Sequence, residues 1–185
     1  MTLRLIVMGV SGCGKSTLSA ALAGRLDLEQ VDGDDLHLPA SVAKMSAGIA
    51  LEDADRWPWL DRIAHFLAEA AEPGRVVACS ALRRVYRDRI RNQAGAVRFI
   101  FLDGSQELIA QRMARRSDHY MQPSLLASQF QTLERPSAEE SDVVTVPITE
   151  PVERVLALAL RALHEPTASG APMPRAATLS PFPPT

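Results

Sequence analysis

The chain has 185 residues, 46% of them apolar and 23% charged, with a formal net charge of −2. This is the profile of one soluble globular domain with a single core, and it gives no general pull toward nucleic acid or an anionic membrane. No apolar run is long enough to span a bilayer, and Cys13 and Cys79 are too few for a disulfide framework or a thiolate zinc site.

The first predicted strand, LRLIVM (3–8), follows Met1 almost at once. No basic, apolar and cleavable leader fits there, so a cytoplasmic location is expected. The next segment, KSTLSAALAGRL, places Leu18, Leu22 and Leu26 on one helical face. Further strands are predicted at 28–32, 75–80, 97–102 and 143–148. Most are nearly continuous in apolar character, as strands covered on both faces require. Between them, WPWLDRIAHFLAEAAEPG reads as a helix with Pro58 in its first turn, a buried stripe of Leu60, Ile63 and Leu67, and Pro73-Gly74 as its stop. Other helices are predicted at 83–92, 105–116, 123–134 and 151–164. The alternation predicts an α/β fold of three layers, a five-stranded parallel sheet with helices on both faces. One domain is expected over residues 1–164. From 165 to 185 the chain turns rich in Pro, Ala, Ser and Thr without periodicity, and a disordered tail is expected.

GVSGCGKS (9–16) satisfies the phosphate-loop pattern G-x-x-x-x-G-K-[ST], between an apolar strand and an amphipathic helix. Glycines let successive backbone N–H groups and the helix N-terminus face phosphate oxygens. Gly9, Val10, Ser11, Gly12, Cys13, Gly14, Lys15, Ser16 and Thr17 are therefore expected to bind ATP. Lys15 would neutralise the β- and γ-phosphates, and Ser16 would coordinate Mg²⁺. Cys13 is either a small residue that fits or a thiol activated by the converging dipoles. The second strand ends in DGDDLH (32–37). Placed beside the first strand, it would bring Asp32 toward Mg²⁺ and Asp34 toward an acceptor hydroxyl, whose proton Asp34 would take. Asp35 either joins that cluster or caps the following turn. Only Lys15 and Lys44 among the 20 basic residues are lysine, which singles out Lys44 as a position where a compact ammonium is needed.

DGDDLH, then Lys44-Met45, then GIALEDADRWPWL and CSALRRVYRD together resemble the gluconokinase family of small P-loop kinases, related in fold to shikimate kinase. The segment RMARRSDHYMQPSLLASQFQTLERP is similar to that family's lid and following helix, and the likeness covers roughly residues 4–160. It implies ATP-dependent phosphorylation of D-gluconate to 6-phosphogluconate, a mobile lid over about 113–123, Mg²⁺ arriving with ATP, and a homodimer. A same-fold kinase of another hydroxy acid, such as shikimate, is the alternative, and a P-loop switch module a more distant one.

A carboxylate with a chain of hydroxyls needs cationic forks and hydrogen-bond partners. Arg56 is either the carboxylate clamp or an ion pair with a neighbouring acid. Ser80 lies at the carboxyl end of the third strand, and Arg83 stands where relatives often carry Lys. Tyr86 and Arg87 read as helix-face supports. The resemblance places Lys44 in the substrate pocket, although Ser41 stands where the family often has Asn. His37 either meets a substrate hydroxyl or holds the acidic turn. Arg112 and Arg116, at i and i+4, would reach the nucleotide or the transferring phosphoryl on closure. Asp118 precedes His119 where the family tends to have Gly. Gln129 either contacts substrate or lies on a polar helix face. The Trp and Phe residues read as core or pocket wall.

Overall fold

The computed structural model describes residues 2–115 and 123–164. Residues 116–122 of the lid expected over about 113–123, with Arg116 and His119, and the tail at 165–185 lie outside the described residues.

Five strands form one parallel sheet: β1 (Leu3–Met8), β2 (Glu29–Asp32), β3 (Gly74–Ala78), β4 (Arg98–Asp103) and β5 (Val143–Pro147). Their order across the sheet is β2-β3-β1-β4-β5. β1 is the central strand, with Val7 opposite Ala78 on one side and Ile100 on the other. Alternation along the strands divides the core in two. Leu5, Val7, Val76, Ile100 and Leu102 face α1 (Lys15–Leu26), α5 (Gln106–Ala114), α6 (Pro123–Thr132) and α7 (Val152–His164). Ile6, Met8, Val77, Phe99 and Phe101 face α3 (Asp53–Ala68) and α4 (Arg84–Ala94). That alternation is the two-residue period of a strand with both faces covered.

The order corrects the expected adjacency of the first two strands, because β3 lies between them. Asp32 still reaches the phosphate loop. All strands run parallel, so their carboxyl ends share one edge, and α1 packs along β1, β2 and β3.

The third helix starts earlier than the sequence pattern indicated. Glu52 and Asp55 form a capping box, with Glu52 N donating to Asp55 Oδ2 at 2.9 Å, so helix begins at Asp53. Pro58 then falls in the second turn, inside the helix, rather than in the first. Its buried stripe is as expected: Leu60, Ile63 and Leu67 have no exposed surface. Burial of such side chains contributes about 1.5–3 kcal/mol each. A short helix, α2 (Pro39–Ser46), was not evident, because Val42 and Met45 are exposed and give it no buried stripe.

Candidate active site

The phosphate loop joins the carboxyl end of β1 to the first turn of α1. Gly14, the residue before α1, has φ 104, a left-handed conformation that a side chain would strain. Gly9 N donates to Ser80 O at 3.3 Å, tying the loop to the end of β3. Lys15 Nζ donates to Val10 O at 3.1 Å, so the ammonium is folded over its own loop. Ser11 N donates to Gln129 Oε1 at 2.6 Å, which fixes α6 against the loop. Gln129 therefore packs against the phosphate loop in this structure. Cys13 is 2% exposed, and burial pushes its thiol up despite Lys15 beside it. Burial disfavours the thiolate more strongly than the loop and Lys15 favour it, which supports the reading of Cys13 as a small residue that fits.

A single carboxylate links the loop to the acidic turn. Ser16 Oγ donates to Asp32 Oδ2 at 2.7 Å, and Asp34 N donates to Asp32 Oδ1 at 3.1 Å. Asp32 thus caps the 3₁₀ turn Gly33–Leu36 that carries Asp34. Gly33 packs so closely on β3 that a Cβ there would lie 2.6 Å from Ala78 O. The Asp34 carboxyl is held above the ordinary aspartate range, by desolvation and then by the Asp32 charge, with Lys15 and His37 opposing. Its side chain is 88% exposed, so the like charge of Asp32 is the more substantial of the two upward causes. His37 sits 4.0 Å from Asp34 Oδ1 through Nε2, and burial lowers its pKa. Its ring lies flat on Trp59, with centroids 4.3 Å apart and planes at 11°. His37 is therefore walled in, and burial disfavours its charged form, which favours its role in holding the acidic turn.

Beside this turn, α3 and α4 assemble an arginine cluster around Tyr86. Asp53 accepts from Tyr86 Oη at 2.5 Å and from Arg83 Nη1 at 2.6 Å. Arg56 Nη1 lies 3.3 Å from the same carboxylate and 3.4 Å from Tyr86 Oη. Both guanidinium groups sit within 6 Å of the Tyr86 ring centroid, at 5.8 and 5.3 Å. These bonds hold the Asp53 carboxyl below the usual range, Tyr86 first among them. Lys44 Nζ bridges both oxygens of Asp55, at 2.6 and 2.8 Å. Arg84, outside the cluster, pairs with Glu139 at 2.7 Å.

Ser80 lies between this cluster and the loop. Its neighbour Ala81 takes a left-handed φ of 41, rare for a residue with a side chain. The turn is held from below by Arg87, whose Nη1 donates to Ala81 O at 3.2 Å and Leu82 O at 3.3 Å. On the opposite side of the loop, Gly12, Thr17, Arg112, Ile148, Val152 and Val155 line a pocket. Arg112 closes one wall by donating to Ile148 O. Apolar side chains flanking a planar guanidinium suit a flat heteroaromatic ring.

Tyr86, Asp53 and Trp59 make contacts in this region that the sequence pattern does not predict. Tyr86 shares a helical face with the core residue Ile90, which makes it read as support. Asp53 stands among several acids, and Trp59 matches the apolar stripe. The one local signal was the density of Asp, Arg and Trp at 52–59.

Comparisons with known proteins identify the family and agree with the fold. A family model described as an AAA domain matches residues 5–136. The thermosensitive gluconokinase of Escherichia coli K12 is 44% identical over 153 residues, 81% of this chain and 81% of that protein. A gluconokinase structure from Sinorhizobium meliloti 1021 superposes with a TM-score of 0.79 at 43% identity, covering 86% of this chain and 90% of that one. Shikimate kinase from Aquifex aeolicus shares the fold, with a TM-score of 0.54 at 18% identity over 87% of this chain and 96% of its own.

Proposed function

The chain belongs to the gluconokinase family of ATP-dependent kinases, and from that premise we propose that it phosphorylates D-gluconate to 6-phospho-D-gluconate. The observation that carries the reading is the chain of contacts Ser16–Asp32–Asp34, which sets an open carboxylate beside a phosphate loop. In-line phosphoryl transfer depends mainly on positioning and charge neutralisation, and this arrangement supports both.

The residues from Gly9 to Thr17 cradle the triphosphate, with the base of the nucleotide in the apolar slot beside Arg112. Lys15 leaves Val10 O and turns to the β- and γ-phosphates. Asp34 accepts the proton of the terminal hydroxyl as it attacks the γ-phosphorus and the bond to the leaving ADP oxygen breaks. Arg56 and Arg83, steadied by Asp53 and Tyr86, receive the gluconate carboxylate, while Ser80 and Lys44 meet its hydroxyls. Arg116 and His119 belong to the same proposal as lid residues over the transferring group, closing out water.

Mg²⁺ fits the residues present. The Ser16 hydroxyl and the Asp32 carboxylate offer hard oxygen donors next to the loop, 2.7 Å from each other. Among the described residues no cluster of three or more His, Cys, Asp or Glu could hold a metal. When bound, it would offset charge on the phosphates.

The proposal extends to a cytoplasmic homodimer without nucleic-acid or membrane partners. No helix among the described residues is long and apolar enough to cross a membrane. Coupled ADP-release assays over a panel of sugar acids and shikimate test the acceptor. Gluconate should give the highest kcat/KM, and turnover with shikimate but none with gluconate would overturn the choice.

A further inference from the structure

The turn that carries Asp34 is only four residues long, and it is gripped from outside by one buried side chain. Trp59, 3% exposed on α3, donates its Nε1–H to Gly33 O at 2.6 Å. The same indole stacks on His37, the residue that ends the turn. Trp59 therefore holds both the first residue of the turn and its cap. Gly33 lies so close to the sheet that even a Cβ there would come within 2.6 Å of Ala78 O. His37 N donates back to Asp34 O at 3.3 Å, and Asp34 N is fixed by Asp32. The open Asp34 side chain thus projects from a backbone with little freedom left.

The helix that supplies this grip also supplies the neighbouring polar cluster. Asp53, Asp55 and Arg56 precede Trp59 on α3, and the Arg56 charge is felt at His37. We propose that Trp59 is a positioning residue for phosphoryl transfer, which keeps Asp34 in register with the acceptor groups of α3. This rests on Asp34 as the group that accepts the hydroxyl proton. An indole suits the task, since it joins a rigid ring for the stack with one directional donor for the carbonyl. Phenylalanine could keep the stack but would leave Gly33 O without its buried donor.

The test is a double-mutant cycle between Trp59→Phe and Asp34→Asn, read as kcat and KM for ATP. Trp59→Phe should lower kcat about tenfold with KM for ATP unchanged, since a small misplacement of a reacting group is costly. In the Asp34→Asn background the same change should have no further effect on kcat, because the residue being positioned is already disabled. An unchanged kcat in Trp59→Phe, or an equal loss in both backgrounds, overturns the positioning role. Full turnover in Asp34→Asn alone instead overturns the proton-acceptor reading on which the proposal rests. Should Trp59→Phe fail to fold, benzothienylalanine incorporated at position 59 in a Trp57→Phe chain replaces the N–H by sulfur while keeping the ring shape. Measured against the Trp57→Phe parent, it should show the same tenfold loss, and no loss overturns the proposal.

Discussion

Glu140→Gln should unfold the protein far more readily than a surface substitution would. The Glu140 side chain is 3% exposed and faces Arg87, itself 1% exposed. Arg87 Nε and Nη2 donate to the two carboxylate oxygens at 2.7 Å each, and Arg91 Nη2 adds a third bond at 2.8 Å. Burial alone would raise the Glu140 carboxyl, but the bonds from Arg87 and Arg91 prevail and hold it at about 2 against an ordinary 4.5. At about 1.4 kcal/mol per tenfold, that difference corresponds to roughly 3 kcal/mol of preferential binding of the charged form. Removing one partner of a buried pair typically costs about 3–5 kcal/mol, which agrees. Urea unfolding at pH 7 should therefore show a loss of about 3 kcal/mol with the m-value unchanged. The folded-state pKa is depressed, so the stabilisation is complete above about 4.5 and is lost as pH falls toward about 2. That acid slope should flatten in Glu140→Gln. A loss below about 1 kcal/mol would refute the reasoning, because it would mean that Arg87 tolerates burial without its counter-charge.

Asp34→Asn should lower kcat by about a hundredfold or more while ATP still binds, as loss of a positioned base does; equilibrium nucleotide binding and steady-state kinetics check both halves. Lys15→Ala should instead raise KM for ATP and lower kcat together, since Lys15 serves the phosphates rather than the acceptor. Because Asp34 must be ionised to accept a proton and its pKa is raised, kcat should fall with decreasing pH at a higher pH than an ordinary aspartate would give. Asp32→Asn removes the like charge and should move that acid limb downward, as a kcat–pH profile would record.

The sheet was legible because its strands are buried on both faces, which writes them as short apolar runs: LRLIVM is a strand at the predicted bounds. Their lateral order was not legible. Local pattern does not say whether β3 inserts between β1 and β2, and the chain settles that through packing of whole layers. The phosphate loop and the acidic turn were readable because backbone chemistry demands Gly14 in a left-handed position and a carboxylate at Asp32. Partner choice was less so. Arg56 and Arg83 converge on Asp53 only because α3 and α4 pack side by side, 30 residues separating Asp53 from Arg83. Similarly, Trp59 shows an apolar side chain in the sequence, but its N–H finds Gly33 O across 26 residues. Short-range signals carry elements and motifs, whereas the wiring among them arises from tertiary contact.

The central claim is that a phosphoryl group leaves ATP for a gluconate hydroxyl held near Asp34. Phosphorus NMR of the protein incubated with ATP, Mg²⁺ and D-gluconate reads this directly. The account predicts a phosphomonoester on the terminal carbon of gluconate, formed together with ADP. Accumulation of inorganic phosphate at the same rate with or without gluconate, and no phosphomonoester, would contradict it.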